Sequence, residues 1–217
     1  MKKSIIIATL SIIFSTAIIA QTTSSKNIID MGVNFGYVTT SEIDNYFIDK
    51  FDNYKNSCVL ITGVTISDYF LNNKKFALGF DFGINTGTSI TEFKEEQYKK
   101  LDLYVVGLVG EYRFFEIENI NLTVKTGIYY ELYNFLYTNK SPYSIVSYSN
   151  INTSVPLNFC VGFPLKNNHN NYIGIFIQNN IKIDSGKLKH TGIDLYADAD
   201  IKSISMNTII LGIKYRF

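Results

Sequence analysis

Two-residue alternation runs through most of this chain and restricts its fold more than any other feature. Phe76, Leu78, Phe80, Phe82 and Ile84 alternate with Ala77, Gly79, Asp81, Gly83 and Asn85. Successive side chains of an extended strand point to opposite faces, so this run has one greasy face and one small or polar face. Ile120, Leu122, Val124, Thr126, Ile128, Tyr130 and Leu132 alternate in the same way with Asn121, Thr123, Lys125, Gly127, Tyr129, Glu131 and Tyr133. A third run sets Ile151, Thr153, Val155, Leu157, Phe159, Val161 and Phe163 against Asn152, Ser154, Pro156, Asn158, Cys160 and Gly162.

The same template predicts eight strands, at about 28–38, 58–70, 76–87, 101–114, 120–133, 148–164, 172–183 and 204–217. Leu103, Val105 and Val109 blur the faces of the fourth, but length and spacing keep it in the set. Each strand is long for a soluble protein and suits a tilted membrane strand of about 9–11 residues plus its ends. The connections then alternate: 39–57, 88–100, 134–147 and 184–203 are long, while 71–75, 115–119 and 165–171 are short. Short periplasmic turns and longer extracellular loops are the pattern of an up-and-down outer-membrane barrel.

A soluble barrel of lipocalin type would also alternate, with its apolar face inside and charges outside. Here the polar series carries glycines and scattered charges, namely Asp30, Asp81, Glu111, Arg113, Lys125, Glu131, Lys182, Lys214 and Arg216. The apolar series of the clear strands has no charge. A narrow lumen needs small residues beside large ones, so the polar series reads as the inside. The expected fold is all-β: an eight-stranded antiparallel transmembrane β-barrel.

Composition agrees once it is split by face. The chain is 46% hydrophobic with 16 Phe, 16 Tyr and no Trp, which excludes a disordered tail and favours strands. Its formal charge of +1 gives no reason to expect a nucleic-acid partner. Residues 1–20 read as a secretory signal, with Lys2 and Lys3 ahead of an apolar stretch from Ile5 to Ile19 and small Ala20 at its end. The barrel domain is then 21–217, exported to the outer membrane. Cys58 and Cys160 fall far apart on the strands and have no metal-ligand spacing, so they read as unpaired packing residues.

The last strand ends Leu211-Gly212-Ile213-Lys214-Tyr215-Arg216-Phe217. With signal and loop alternation, it resembles the Gram-negative outer-membrane β-barrel family of small porin-like domains, over essentially the whole mature chain. The resemblance implies that Gly212, Tyr215 and Phe217 form a terminal signal for the barrel-assembly machinery. Ile210 departs from the family pattern, which favours a polar residue there. Pro156 departs from the ideal for a closed barrel, and a bulge near it is expected.

An eight-stranded lumen is just wide enough to be filled by side chains. If 114 faces 120 across the turn, Glu111 faces Thr123 and lies diagonal to Lys125. Asp30, Arg113, Lys214 and Arg216 should lie near the same periplasmic end and, with Asp81, Glu111 and Lys125, form a charge-compensated plug. A gated ion path is the alternative. Aromatic girdles are expected at Tyr112, Phe114, Phe163, Tyr215 and Phe217 below, and at Tyr37, Tyr104 and Tyr130 above.

The loops offer weaker signals. Ile43, Tyr46, Phe47, Lys50, Phe51 and Tyr54 make a helical stripe after Ser41-x-x-Asp44, suggesting a short amphipathic helix, with a hairpin or disordered loop as alternatives. Asp194, Asp198 and Asp200 lack the ordered oxygen ligands and turn glycine of a calcium loop. His169 falls in a short turn and His190 in the last long loop, near Asp184, Ser185 and Asp194. Sequence proximity gives no nucleophile–base–orienter set, so the expectation is a non-enzymatic barrel with no cofactor. Its expected partners are outer-membrane lipid, the assembly machinery and an extracellular ligand of the loops, with the barrel a monomer. A small porin or transport barrel is the second reading, and a lipid-modifying hydrolase the third.

Overall fold

The computed structural model of the protein describes residues 28–40, 58–73, 75–89, 97–117, 120–140, 143–165, 168–190, 201–203 and 206–217. The signal segment, the candidate helix at 43–54 and Asp194, Asp198 and Asp200 lie outside them. Ten strands form among the described residues: β1 (Ile28–Thr39), β2 (Cys58–Asn72), β3 (Phe76–Ser89), β4 (Gln97–Ile117), β5 (Ile120–Lys140), β6 (Tyr143–Leu165), β7 (Asn168–Ser185), β8 (Lys187–His190), β9 (Ile201–Ser203) and β10 (Thr208–Arg216). Eight of them pair antiparallel in the order β5-β4-β3-β2-β1-β10-β7-β6, and β5 pairs with β6 to close the ring. The short β8 and β9 extend β6 outward, beginning at Tyr148↔His190.

All eight expected strands are present, and four begin at the expected residue, at Ile28, Cys58, Phe76 and Ile120. The tight turn after β2 is fixed by Asn73, whose Oδ1 accepts the amides of Lys75 at 2.9 Å and Phe76 at 2.7 Å. Such side-chain acceptance is how Asn mimics a backbone turn. Closure between first and last strands runs from Val38↔Thr208 to Asp30↔Arg216 and continues in two 3.1 Å bonds between Ile29 and Phe217.

Several local expectations change. The segment 134–147, read as a loop, is mostly strand: β5 and β6 stay paired to Lys140↔Tyr143 as a ribbon beyond the barrel. The turn expected over 165–171 shrinks because β7 already begins at Asn168, which places His169 in a strand. β10 begins at Thr208 rather than 204. Glu111 faces Lys125 directly, not Thr123, because β4 runs on to pair Ile117 with Ile120 at the hairpin tip and a bulge between Arg113 and Phe115 takes back one residue of that shift. Near Pro156 the nearest bulge lies at Thr153/Ser154 against β7, while the β5–β6 ladder lapses opposite Val155 and Pro156. A residue without N–H interrupts a ladder at its own rung, and that lapse is what the proline produces here. Leu78, expected outside, is covered where β3 meets the bulge at Tyr69/Leu71.

The faces sort as the alternation requires. Asn121, Thr123, Lys125, Gly127, Tyr129 and Glu131 are buried, and Ile120 and Tyr130 of the opposite series are exposed. The core is therefore the lumen, and among the described residues thirty large apolar side chains face outward, among them Phe35, Phe82, Ile151 and Ile213. A water-soluble surface rarely presents so continuous an apolar patch.

Candidate functional site

The lumen is the one place where the described residues gather buried charge, and the strand pairing explains how. On the inner face of β1, Asp30, Gly32 and Asn34 alternate with outward Met31 and Val33. On β10, Lys214 and Arg216 alternate with Ile213 and Tyr215, and the register sets Asp30 opposite Arg216 and Gly32 opposite Lys214. Gly32 leaves room beside that lysine: a Cβ there would stand 2.9 Å from Thr65 Oγ1 and 3.5 Å from Lys214 Cβ.

Arg216 is the centre of the lowest cluster, at the tight-turn end. Its Nε donates to Asp30 Oδ1 at 2.5 Å and its Nη2 to Asp30 Oδ2 at 2.7 Å. Across the lumen, Nη1 and Nη2 donate to Glu111 Oε1 and Oε2 at 2.6 and 2.8 Å. Lys214 Nζ bridges the same two carboxylates at 3.0 and 3.1 Å, and Tyr69 OH donates to Glu111 at 3.2 Å. The guanidinium lies between the rings of Tyr69 and Tyr172, 5.0 and 4.7 Å from their centroids. Planar, bidentate and stacked contacts together are what Arg offers and Lys does not. Arg113 stands at the rim of this group, 3.7 Å from Glu111 and bonded to Asn72 Oδ1 at 3.1 Å.

A second cluster is separate from the first. Lys125 Nζ reaches Asp81 Oδ2 at 2.5 Å and Ser67 Oγ at 3.4 Å, and Tyr129 OH donates to the same Asp81 oxygen. The expected single network of seven charges thus divides, with Asp81 and Lys125 forming their own pair. A third cluster was not in the expected set. Glu131 accepts from Lys182, from Asn180 at 2.5 Å and from Tyr133 OH at 3.1 Å, and a file of amides leads to it from Asn158 through Gln178 and Asn180. Both charges stand in the inward series of their strands, so parity marked them as lumenal without naming them as partners.

Every carboxylate of the clusters is paired: Asp30 and Glu111 with Lys214 and Arg216, with Arg113 a further cation at the rim, Asp81 with Lys125, and Glu131 with Lys182. Buried charges persist only when paired and hydrogen-bonded, and this arrangement meets that condition without long-range compensation. Toward the loop end the filling turns apolar. Val38, Val59, Ile61, Leu101, Leu103, Phe135, Met206 and Ile210 are all buried there, and Tyr133, Phe135 and Tyr137 stack 6.3 and 6.4 Å apart. Lys99, at the same end, donates to Thr40 Oγ1 at 2.5 Å. Six tyrosines, Tyr69, Tyr129, Tyr133, Tyr137, Tyr148 and Tyr172, are buried inside, a destination the aromatic excess did not suggest.

The exterior decides the class of molecule. On β4 the outward series is apolar from Tyr104 to Phe114, and above it Lys100 and Asp102 pair at 3.2 Å while Asp102 accepts from Thr86 at 2.6 Å. About ten residue steps at ~3.3 Å and a tilt of about 40° give an apolar band about 25 Å tall, the height of a membrane barrel's belt. All eight expected girdle aromatics, Tyr112, Phe114, Phe163, Tyr215 and Phe217 at one end and Tyr37, Tyr104 and Tyr130 at the other, are exposed on this wall. The protein has the fold of a transmembrane β-barrel.

No family model matches the chain, and no curated protein matches it. Several solved structures are similar to this chain in fold. Neisserial surface protein A is 11% identical, with 88% of this chain and 96% of that chain covered and a TM-score of 0.49. Ail, the attachment invasion locus protein of Yersinia pestis, is 15% identical over 90% and 100% of the two chains, with a TM-score of 0.46. A major outer membrane protein from Thermus thermophilus is 12% identical over 89% and 100%, with a TM-score of 0.49.

Within the membrane barrel, Gly212 faces the lumen and Tyr215 and Phe217 the outside, their rings 5.6 Å apart. Both cysteines are free thiols; Cys160 is buried in the wall and Cys58 half-buried at the start of β2. His190 ends β8 opposite Tyr148. Among the described residues, no three His, Cys, Asp or Glu side chains are grouped to hold a metal ion.

Proposed function

We propose that this chain is a non-enzymatic integral protein of the outer membrane of a Gram-negative bacterium, exported by its first twenty residues. Its lumen is sealed by its own side chains, and it acts through the face it shows to the outside. The observation that carries the reading is the stack of buried clusters in which every carboxylate is paired, capped toward the loop end by apolar side chains. Ions crossing the barrel would have to break bidentate Arg216 contacts that hold both carboxylates of the lowest cluster. A structural or surface-binding role follows, with the long β5–β6 ribbon and the neighbouring connections as the contact surface. Gly212, Tyr215 and Phe217 serve as the assembly signal in this reading, and membrane lipid and the assembly machinery are its partners.

Planar-bilayer recording of the refolded protein tests the seal. A silent membrane supports the plugged barrel. Steady single-channel currents in simple salt overturn it in favour of a small porin.

A further inference from the structure

The three ion clusters take up most of the charged groups of the lumen, and Lys99 bonds to Thr40 at the loop end, but one stretch of its wall holds neutral polar atoms that they leave unpaired. Asn121 Oδ1 and Thr123 Oγ1 on β5, and Asn158 Oδ1, Ser154 Oγ and both side-chain polar atoms of Asn152 on β6, are buried with no protein partner. Other such atoms, Asn85 Nδ2 and the Tyr172 hydroxyl among them, stand elsewhere in the lumen, but these six lie together. β5 and β6 are neighbours, and their register sets Asn121 opposite Gly162, Thr123 opposite Cys160, Lys125 opposite Asn158, Tyr129 opposite Ser154 and Glu131 opposite Asn152. Unpaired atoms therefore occur on rung after rung of one seam, over about ten residue steps, or about 25 Å of depth at the usual rise and tilt.

We propose that this seam binds a file of ordered water molecules inside the sealed barrel. A buried polar group without a partner costs ~1–3 kcal/mol, so a run of them persists only if something satisfies them. Same-face residues two apart on a strand stand ~6.7 Å from one another at the backbone, and along this seam no direct side-chain bond closes that gap for the unpaired atoms. A water with two bonds of about 2.8 Å spans most of that distance. The chemistry of the wall selects water over an ion. Amides and hydroxyls both donate and accept, and the two charges bordering the seam are already committed, Lys125 to Asp81 and Glu131 to Lys182. At one rung, Gly127 and Pro156 bring no polar side chain and the β5–β6 ladder lapses. The file accordingly has two segments, a lower one from Asn121 to Asn158 and an upper one at Ser154 and Asn152.

The experiment is NMR of the refolded full chain with 15N-labelled side-chain amides, reading magnetisation transfer from water. The amides of Asn152 and Asn158 should show transfer from long-lived water. Asn180, whose amide is bonded to Glu131 and whose carbonyl accepts from Gln178, should show none. Ser154→Val should reduce the transfer at Asn152 at least twofold and leave that at Asn158 unchanged, with Ser154→Ala used if the first variant does not refold. Transfer absent at Asn152 and Asn158, equal at Asn180, or insensitive to the Ser154 change overturns the proposal. A dry seam leaves the sealed lumen of the proposed function standing, because that reading is tested by conductance.

Discussion

Arg216 and Glu111 are joined across the lumen by two parallel hydrogen bonds, of 2.6 and 2.8 Å, although three strands separate β10 from β4 around the wall. Removing one partner of such a pair leaves the other charge buried and alone, which costs about 3–5 kcal/mol. Glu111→Gln should lower the unfolding free energy by about that amount. With no Trp in the chain, the readout is tyrosine fluorescence or heat-modified gel migration through a urea titration. Conductance should stay at the baseline; a new channel current in the variant would mean that the cluster is a gate.

The pair of Glu131 and Lys182 offers a test of desolvation against attraction. Either Glu131→Leu or Lys182→Met alone strands a charge and should destabilise the barrel by about 3–5 kcal/mol. The double variant removes both charges, and it should recover most of that loss in the same titration. Additive losses would show that the two residues do not depend on each other.

Gly212 has a packing reason to be glycine. A Cβ there would run into the ring of Phe176 and stand 2.7 Å from the Val33 carbonyl oxygen. Gly212→Ala should cost about 1–3 kcal/mol through overpacking. Phe176→Leu in the same chain should restore part of it. Full loss with no rescue would point to the backbone contact alone.

The outer wall should grade substitutions by depth. Ile213→Arg, between Leu211 and Tyr215, should cost about 2–4 kcal/mol, and Thr86→Arg, level with the Lys100–Asp102 pair, about 0–1 kcal/mol. Equal costs in reversible folding into vesicles would mean that the belt is misplaced.

Much of this was legible in the residues. Strand starts at Ile28, Cys58, Phe76 and Ile120 could be read because a buried lumen and a lipid face impose opposite chemistry on successive positions. The ribbon over 134–147 was not legible for the same reason. Beyond the membrane that contrast is relaxed, and Tyr137, Thr138, Asn139 and Ser144 carry no alternation to read. The facing of Glu111 and Lys125 depended on a bulge at Arg113/Phe115, which leaves no hydrophobic signature. Inward placement of Asp30, Lys214 and Arg216 followed from parity, whereas their link to β4 needed the closed ring. Glu131 and Lys182 had the right parity too, but nothing in one strand announces its partner two strands away.

The strands of this wall are unequal: β5 has 21 residues and β10 has 9. At about 3.3 Å per residue that is a difference of about 40 Å along the strand. Among the described residues the strand wall is therefore lopsided, low at β1 and β10 and tall at β5 and β6 on the opposite side. A partner approaching the described strands along the barrel axis would meet the high side first. The barrel thus has a front and a back, and its orientation about its own axis matters as much as its depth.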